Sequence, residues 1–350
     1  MPKLSSKSFS SSLPVHAIQA GWYSDKYFVR SRTVLEKEKM HPEVVMQVFC
    51  KKDALLCGIN EVIACLKKGS VPRGRLKVYA LEEGARIHPW ETVMHVVGDY
   101  ISFIHLETLY LGILARRTSI ATAVRKVVEA TKGSPVLFFS ARFDYFLNQP
   151  GDGYAAKWGG ASGVSTEAST AWLAGEKALG TLPHGLIAAF GGDTLKASIV
   201  FDRHMPPSIR RIVLVDFENN CVKTSLAVAR ALGKKLWGVR LDTSREIRDR
   251  SVKGRGAESY GVSPELVWNV RKTLDREGFP WVKIIISGGF NVKRIQDFMK
   301  RRVPFDAVGI GSAFLNERIE FTADIVKLNG KPCAKVGRSH RPNPRLKRVL

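Results

Sequence analysis

The pattern of apolar and polar positions changes rhythm near Lys132. Between about Pro42 and Ala130, strand-like and helix-like stretches are mixed without regular alternation. "VVMQVF" reads as a strand, being filled with apolar residues of strand type. "ALLCGINEVIACLKKG" reads as a helix that stops at Gly69. "RLKVYALEEGARIHPWETVMHVVGDY" reads as strands separated by turn residues, and "ISFIHLETLYLGILARRTSIATAVRKVVEA" as a long helical stretch, either continuous or broken once. This layout predicts an α/β sandwich.

After Lys132 the pattern becomes strand, loop, helix, repeated. The predicted strands are Val136–Ser140, Leu186–Phe190, Ile212–Asp216, Leu236–Leu241, Val282–Ser287 and Ala307–Ile310, with a weaker "GASGVS" between the first two. "STEASTAWLAGEKALG", "KTSLAVARALG", "PELVWNVRKTLDREG" and "VKRIQDFMKRR" are the predicted helices. Regular βα alternation predicts a parallel sheet closed into a TIM-like α/β barrel, and fewer than eight clear strands make that barrel irregular. Asn329-Gly330 between short alternating runs signals a hairpin. The division adopted is an N-terminal sandwich over residues 1–131, to which 320–350 return, and a barrel over 132–319.

A chain of 350 residues is long for a single core, which agrees with two packed units. Apolar content of 45% and a mean hydropathy of −0.08 are those of a globular protein, and no apolar run is long enough to span a bilayer. The first twenty-four residues contain no acid and many serines, and read as a flexible start with a transit peptide as the alternative. Lys and Arg number 55 against 32 Asp and Glu, for a net charge of +23 that attracts polyanions, nucleic acid or a phosphorylated metabolite. The cations are spread along the chain, apart from "GRSHRPNPRLKRVL" and "SREIRDRSVKGRGAESYG", so charge leaves the partner open. Cys50, Cys57, Cys65, Cys221 and Cys333 form no C-x-x-C pair, which points away from zinc and disulfides and toward a reducing, cytoplasmic setting.

Two successive apolar runs end in Ser287-Gly288-Gly289 and Gly309-Ile310-Gly311-Ser312. The loops after the last two strands of a β/α barrel often hold a phosphate on bare backbone N–H groups, and glycine lets the anion approach. Two tight corners are the alternative. The predicted strand ends also carry Arg142, Ser162, Asp216, Arg240, Asp242 and Ser287, with His184 just before the predicted strand "LIAAF". Arginine forks fit phosphate oxygens, and a carboxylate accepts ribose hydroxyls or holds Mg²⁺. Each has a structural alternative: Asp242 as a helix cap, His184 as a packed or surface histidine, Arg142 as a partner of Asp144. Phe139 and Tyr27 are core residues or platforms for a flat heteroaromatic ring.

In this order, "SDKYF", "LETLYLGIL", "FFSAR", "GTLPHG", "VDF", "VRLD", "SGGFN" and "GIGS" resemble the nicotinate phosphoribosyltransferase family from about Gly21 to Arg338. The resemblance implies an N-terminal sandwich joined to an irregular barrel, and homodimers whose active sites use both chains. It implies that Tyr27 of a neighbouring subunit and Phe139 enclose the pyridine ring, with Arg240 near the pyridine carboxylate and Asp242 near the ribose hydroxyls. Arg142 then meets the phosphates of phosphoribosyl pyrophosphate, and Ser287, Gly288, Gly289, Gly309, Gly311 and Ser312 surround its 5′-phosphate. His184 matches the histidine that ATP-using relatives phosphorylate, and Lys331 and Lys335 the family's basic C-terminal segment. Mg²⁺ and ATP are the implied cofactor and co-substrate.

Two positions depart from the family's pattern. Asp242 is followed by Thr243-Ser244-Arg245 and a basic loop carrying Arg248 and Arg250, which leaves the ATP coupling open; the loop either closes over pyrophosphate or is simply solvated. Ser162 stands where nicotinamide-using relatives carry an aspartate, and a neutral hydroxyl does not repel a carboxylate, so nicotinate is favoured. The expected activity is phosphoribosyl transfer to nicotinate in NAD salvage. Quinolinate phosphoribosyltransferase, a basic nucleic-acid-binding protein and a silent nucleotide-binding barrel are the alternatives.

Overall fold

The structure, a computed structural model, describes residues 13–71 and 76–350. Most of the serine-rich start lies outside the described residues. Helices α1 (Val15–Gln19) and α2 (Lys26–Lys37) lead into strands β1 (Glu43–Cys50) and β2 (Ala54–Leu55), helix α3 (Ile59–Gly69), strands β3 (Lys77–Ala80), β4 (Arg86–Ile87) and β5 (Thr92–Asp99), and helix α4 (Glu107–Ala130). Then come β6 (Val136–Phe138), α5 (Gln149–Gly159), β7 (Gly163–Val164), α6 (Glu167–Thr170), α7 (His184–Ala189) and α8 (Thr194–His204). The chain continues through β8 (Arg211–Leu214), α9 (Cys221–Leu232), β9 (Leu236–Leu241), α10 (Pro264–Arg276), β10 (Lys283–Ile286), α11 (Val292–Lys300) and β11 (Ala307–Ile310). It ends in β12 (Phe321–Leu328), β13 (Lys331–Pro332) and β14 (Lys347–Arg348).

The first sheet has the order β13-β12-β1-β5-β3-β14, with antiparallel neighbours. Its core joins Met46, Val48, Val78 and Val96 to Val62 and Leu66 of α3 and Tyr110 and Leu114 of α4. The hairpin at Asn329-Gly330 forms between β12 and β13, and β12 lies beside β1. Buried Gln47 and Thr92 fasten the basic end of the chain: Gln47 Oε1 accepts from Arg341 N at 2.7 Å, and Thr92 Oγ1 donates to Arg341 O at 2.9 Å. Arg338 pairs with Asp324 at 2.8 Å and Arg345 with Glu91 at 2.6 Å. The "GRSHRPNPRLKRVL" segment is therefore a folded strap over the sheet.

The second sheet is parallel, in the order β7-β6-β11-β10-β9-β8. Its two outer strands are joined by the segment 179–182: Leu179 N donates to Val164 O at 2.8 Å, and Leu182 N to Ile212 O at 2.9 Å. One hydrogen bond to each edge closes an incomplete barrel. Helix α4, 24 residues long, serves both units, with Tyr110 and Leu114 in the first core and Ile120, Val124 and Val127 in the second. Arg117 at its middle pairs with Glu61 at 2.8 Å and with Asp152 at 3.3 Å, tying α3 to α5.

Two sequence expectations are corrected and a third is given its place. Leu186–Phe190 is not a strand: it falls largely in α7, where Ile187 packs with Leu182, Ala197 and Leu214, and the chain pairs with β8 earlier, at Leu182. A short apolar run has no period that separates strand from helix. "STEASTAWLAGEKALG" is helical only over Glu167–Thr170; Trp172 and Leu173 then turn into the core, and Gly175 adopts a left-handed φ of 75°. The break in the long helical stretch lies at its start, as 3₁₀ turns over Tyr100–Ser102 and Ile104–Leu106, and α4 runs unbroken after them. Among the described residues no helix is long and apolar enough to cross a membrane.

Candidate functional site

A cavity of about 1050 Å³ occupies the barrel. At the carboxyl ends of the strands it is lined by Phe139, Arg142, Arg240, Asp242, Ser287, Gly288, Gly289, Gly311 and Ser312, with Gly309 inside β11. Ser162, expected at a strand's carboxyl end, instead precedes β7, donates its backbone N–H to Val136 O at 2.8 Å and lines the cavity from that strand's amino end. These candidates come from separate βα units, and the barrel brings them together. Arg240 and Ser287 end adjacent strands and lock each other in place: Arg240 Nε donates to Ser287 Oγ at 2.8 Å, and Ser287 Oγ donates to Asp242 Oδ1 at 2.7 Å. Arg240 Nη2 meets Asp242 Oδ2 at 3.0 Å, and Nη1 donates to Thr181 Oγ1 at 3.3 Å. The guanidinium lies 5.1 Å from the centre of the Phe139 ring. This network presents a fixed cation, a carboxylate and an aromatic face to one space.

The alternatives for Asp242 and Arg142 do not hold. No helix begins at Asp242; a loop follows it, and its carboxylate is committed to Ser287 and Arg240. Asp144 pairs with Arg116, while Arg142, among the described residues, has no carboxylate partner and lies against the Phe143 ring at 5.2 Å. An arginine lining a cavity without a carboxylate is available to an anion.

His184 opens α7, and its Nε2 donates to Asp216 Oδ1 at 2.9 Å. That hydrogen bond, reinforced by the Asp216 charge, raises the imidazole pKa above its ordinary value against the opposing effect of burial. Asp242 pushes it in the same direction and Arg240 in the other. The histidine thus belongs to the same electrostatic neighbourhood as the cavity.

The two glycine pairs have different physical causes. Gly288 and Gly289 follow β10 with φ of 83° and 71°, a backbone that side chains resist. Arg294 Nη1 donates to Gly288 O at 2.9 Å and Arg245 donates to Gly289 O. Burial and the nearby Arg245 charge push the Arg294 guanidinium down to about 10, which marks cationic crowding at this turn. Gly309 lies within β11, and there and at Gly311 a Cβ would overlap the rings of Phe139 and Phe143. The second glycine pair makes room for aromatic rings, a reason that turn chemistry alone did not reveal.

Tyr27 and Lys335 do not join the cavity within this chain. Tyr27 sits on α2, 59% exposed, and Lys335 lies in the exposed segment after β13. The "SREIRDRSVKGRGAESYG" loop is ordered around buried Asp249, which accepts from Cys221 N at 2.8 Å and from Ser251 Oγ at 2.6 Å. Arg248 donates to Gly254 O within the loop at 3.1 Å. Thr181 and Lys177 also line the cavity. Both stand on the segment after α6, where no periodicity marks a cavity-facing residue. Among the described residues no group of three or more His, Cys, Asp or Glu is arranged to hold a metal ion.

Comparison with known proteins gives a consistent grouping. Residues 25–118 match the N-terminal domain of quinolinate phosphoribosyl transferase. The structure of nicotinate-nucleotide pyrophosphorylase from Pyrococcus furiosus is 35% identical and superposes with a TM-score of 0.82 over 94% of this chain and 81% of that one. A nicotinate phosphoribosyltransferase of Mycobacterium tuberculosis is 28% identical over 244 residues, covering 67% of this chain and 47% of that protein. The chain spans about half the length of such curated relatives. Human nicotinic acid phosphoribosyltransferase, 17% identical with a TM-score of 0.67 over 89% of this chain and 76% of that one, shares the fold.

Proposed function

The chain belongs to the nicotinate phosphoribosyltransferase family of type II phosphoribosyltransferases, and on that premise we propose that it transfers the 5-phosphoribosyl group of phosphoribosyl pyrophosphate to nicotinate. The observation that carries this reading is the Arg240–Ser287–Asp242 network beside Phe139. A flat ring bearing a carboxylate finds an aromatic face and a guanidinium there, and a ribose finds a carboxylate acceptor. The ring nitrogen attacks the anomeric carbon as the bond to pyrophosphate breaks, so the acceptor needs no strong base. The protein aligns the two and offsets charge at the leaving group. Arg142, with no carboxylate partner, is assigned to the phosphates, and Ser287, Gly288, Gly289, Gly311 and Ser312 to the 5′-phosphate region. Ser162 adds no negative charge to repel the acceptor carboxylate.

The carboxylates lining the cavity are each engaged by a cation, Asp242 by Arg240 and Asp306 by Lys283, and nearby Asp216 is engaged by His184, which fits Mg²⁺ arriving on the pyrophosphate better than a cage of protein ligands. The ion would neutralise the departing phosphates. ATP stimulation through His184 is supported by its hydrogen bond to Asp216, which orients the ring and leaves the other nitrogen to react. A homodimer is supported by two groups of exposed apolar side chains, Trp22, Tyr23 and Tyr27 in one and Tyr145, Phe146 and Leu147, which follow the cavity-lining Arg142 and Phe143 in the chain, in the other. In this reading Tyr27 of a second copy covers the pyridine site.

Quinolinate is the second reading, favoured by the match of residues 25–118. Its extra carboxylate needs another cation, for which Lys177 is available at the cavity. The test is mononucleotide formation from phosphoribosyl pyrophosphate and Mg²⁺ with nicotinate, nicotinamide or quinolinate, each with and without ATP. Product from nicotinate is expected, increased by ATP. Product from quinolinate with release of CO₂ supports the second reading, and no product from any acceptor removes both.

A further inference from the structure

The cavity does not end beneath Arg240 and Asp242. Its lining continues through the barrel to the amino ends of the strands, where Ser208, Arg210, Trp237, Lys283 and Asp306 surround a second mouth. The interior of a β/α barrel is ordinarily filled by layers of side chains. Here β11 contributes only Ala307 and Gly309 to the interior, leaving a passage bounded by an apolar collar of Leu137, Ile212 and Ile285.

Strict alternation along β9 would not bring Trp237 to that passage. Val239 and Leu241 pack in the core outside the barrel and Arg240 lines the cavity, so the period of two would send Trp237 outward. The pairing with β8 slips instead, setting Arg211 opposite Leu236 and Ile212 opposite Gly238. Trp237 is the extra residue of this β-bulge, and bulges at barrel rims re-aim side chains. It packs with Ile212, Ile285 and Ala307. Its neighbour Gly238 lies so close to β10 that a Cβ would be 2.7 Å from Lys283 O.

The Arg210 guanidinium lies 4.7 Å from the centre of the Trp237 ring and, among the described residues, has no carboxylate partner. Lys283, by contrast, is neutralised by Asp306 at 2.9 Å. One unneutralised cation, one indole and an apolar collar thus converge on the mouth. A bare phosphate would leave the indole and collar unused, and a neutral ring would leave Arg210 unused. A flat ring with one carboxylate uses all three.

We propose that the amino-end mouth of the barrel is a second binding site, for a small aromatic carboxylate, joined to the candidate active site through the barrel. Trp237 and Arg240 are three residues apart on β9, on the order of 10 Å along a strand.

Benzoate, which has no ring nitrogen to ribosylate, is the probe, followed by calorimetric titration of the full chain. Two benzoates per chain are expected. Arg210→Ala should remove one of them or weaken it at least about tenfold, the loss of a charge-assisted hydrogen bond, and Arg240→Ala should affect the other. Trp237→Ala should act as Arg210→Ala does; if it fails to fold, the exposed Arg210 decides alone. Wild-type stoichiometry and affinity in Arg210→Ala overturn the proposal, as does a wild-type protein that binds no benzoate or binds a single one sensitive only to Arg240→Ala. The readout requires no turnover, so it stands apart from the transfer activity proposed above.

Discussion

Asp242 accepts hydrogen bonds from Ser287 and Arg240, so replacing one carboxylate oxygen by an amide nitrogen changes charge with little change in shape. Asp242→Asn is expected to keep the melting temperature near wild type while lowering mononucleotide formation by about 100-fold or more, the scale of losing one preorganised electrostatic contact. Near-normal turnover would remove Asp242 from the reaction. His184 is raised above the ordinary histidine value chiefly by its hydrogen bond to Asp216. The folded state therefore holds this proton more tightly than the unfolded chain. Its contribution to stability is fully present below the unfolded pKa and is lost as pH rises through the folded one. In an NMR titration His184 should titrate above an exposed histidine, and Asp216→Asn should bring it down; an unchanged midpoint would exclude the pairing in solution. Asp242 and Arg240 were legible in the sequence because they lie two apart at a strand end. Thr181 and Lys177 were not, because nothing local distinguishes a loop residue that faces a cavity.

Among the elements, β11 is explained by the rings that press on it. Gly309→Val places methyl groups where the Phe139 ring lies, and overpacking of this kind costs about 1–3 kcal/mol. Chemical denaturation should show a loss of that order, and an unchanged midpoint would mean that the ring moves freely. Helix α4 carries a different strain at its first residue. Burial, with Asp324 and Asp25 nearby, pushes Glu107 up to about 8. The folded state binds its proton more tightly than the unfolded chain, so stability falls as pH rises from the ordinary carboxylate range through about 8. Glu107→Gln should raise the melting temperature at pH 9 and leave it nearly unchanged at pH 4; equal effects at both would refute a protonation origin. Strands β9 and β11 are predicted to the residue from pattern, since their apolar runs are bounded by turn residues. The bulge at Trp237 and the helical state of α7 are not, because both depend on the neighbouring strand or core rather than on local sequence.

For the whole molecule, the dimer reading makes the active site a shared object. Phe146→Glu combined with Leu147→Glu places charge on an exposed apolar patch and should shift sedimentation from dimer to monomer with loss of transfer. Co-expressed Tyr27→Ala and Asp242→Asn subunits should regain activity that neither has alone, because a mixed dimer holds one site with both residues intact. No recovery would place Tyr27 outside the site. The charge of +23 acquires a different meaning once the chain is folded. The basic end of the chain is pinned to the first sheet by Asp324, Glu91, Gln47 and Thr92, so its cations belong to a folded surface and not to a free arm.

The sequence by itself determined the two-unit plan, the strand-helix alternation outside 162–190 and the residues at the carboxyl ends of β9, β10 and β11, because these follow from local periodicity and turn chemistry. The tertiary structure alone decided that 179–182 closes the barrel, that Gly309 and Gly311 serve aromatic packing, and that Trp237 faces inward. Each of these depends on a partner distant along the chain, and a single hydrogen bond, ring contact or register slip between remote strands leaves no periodic trace in the residues that make it.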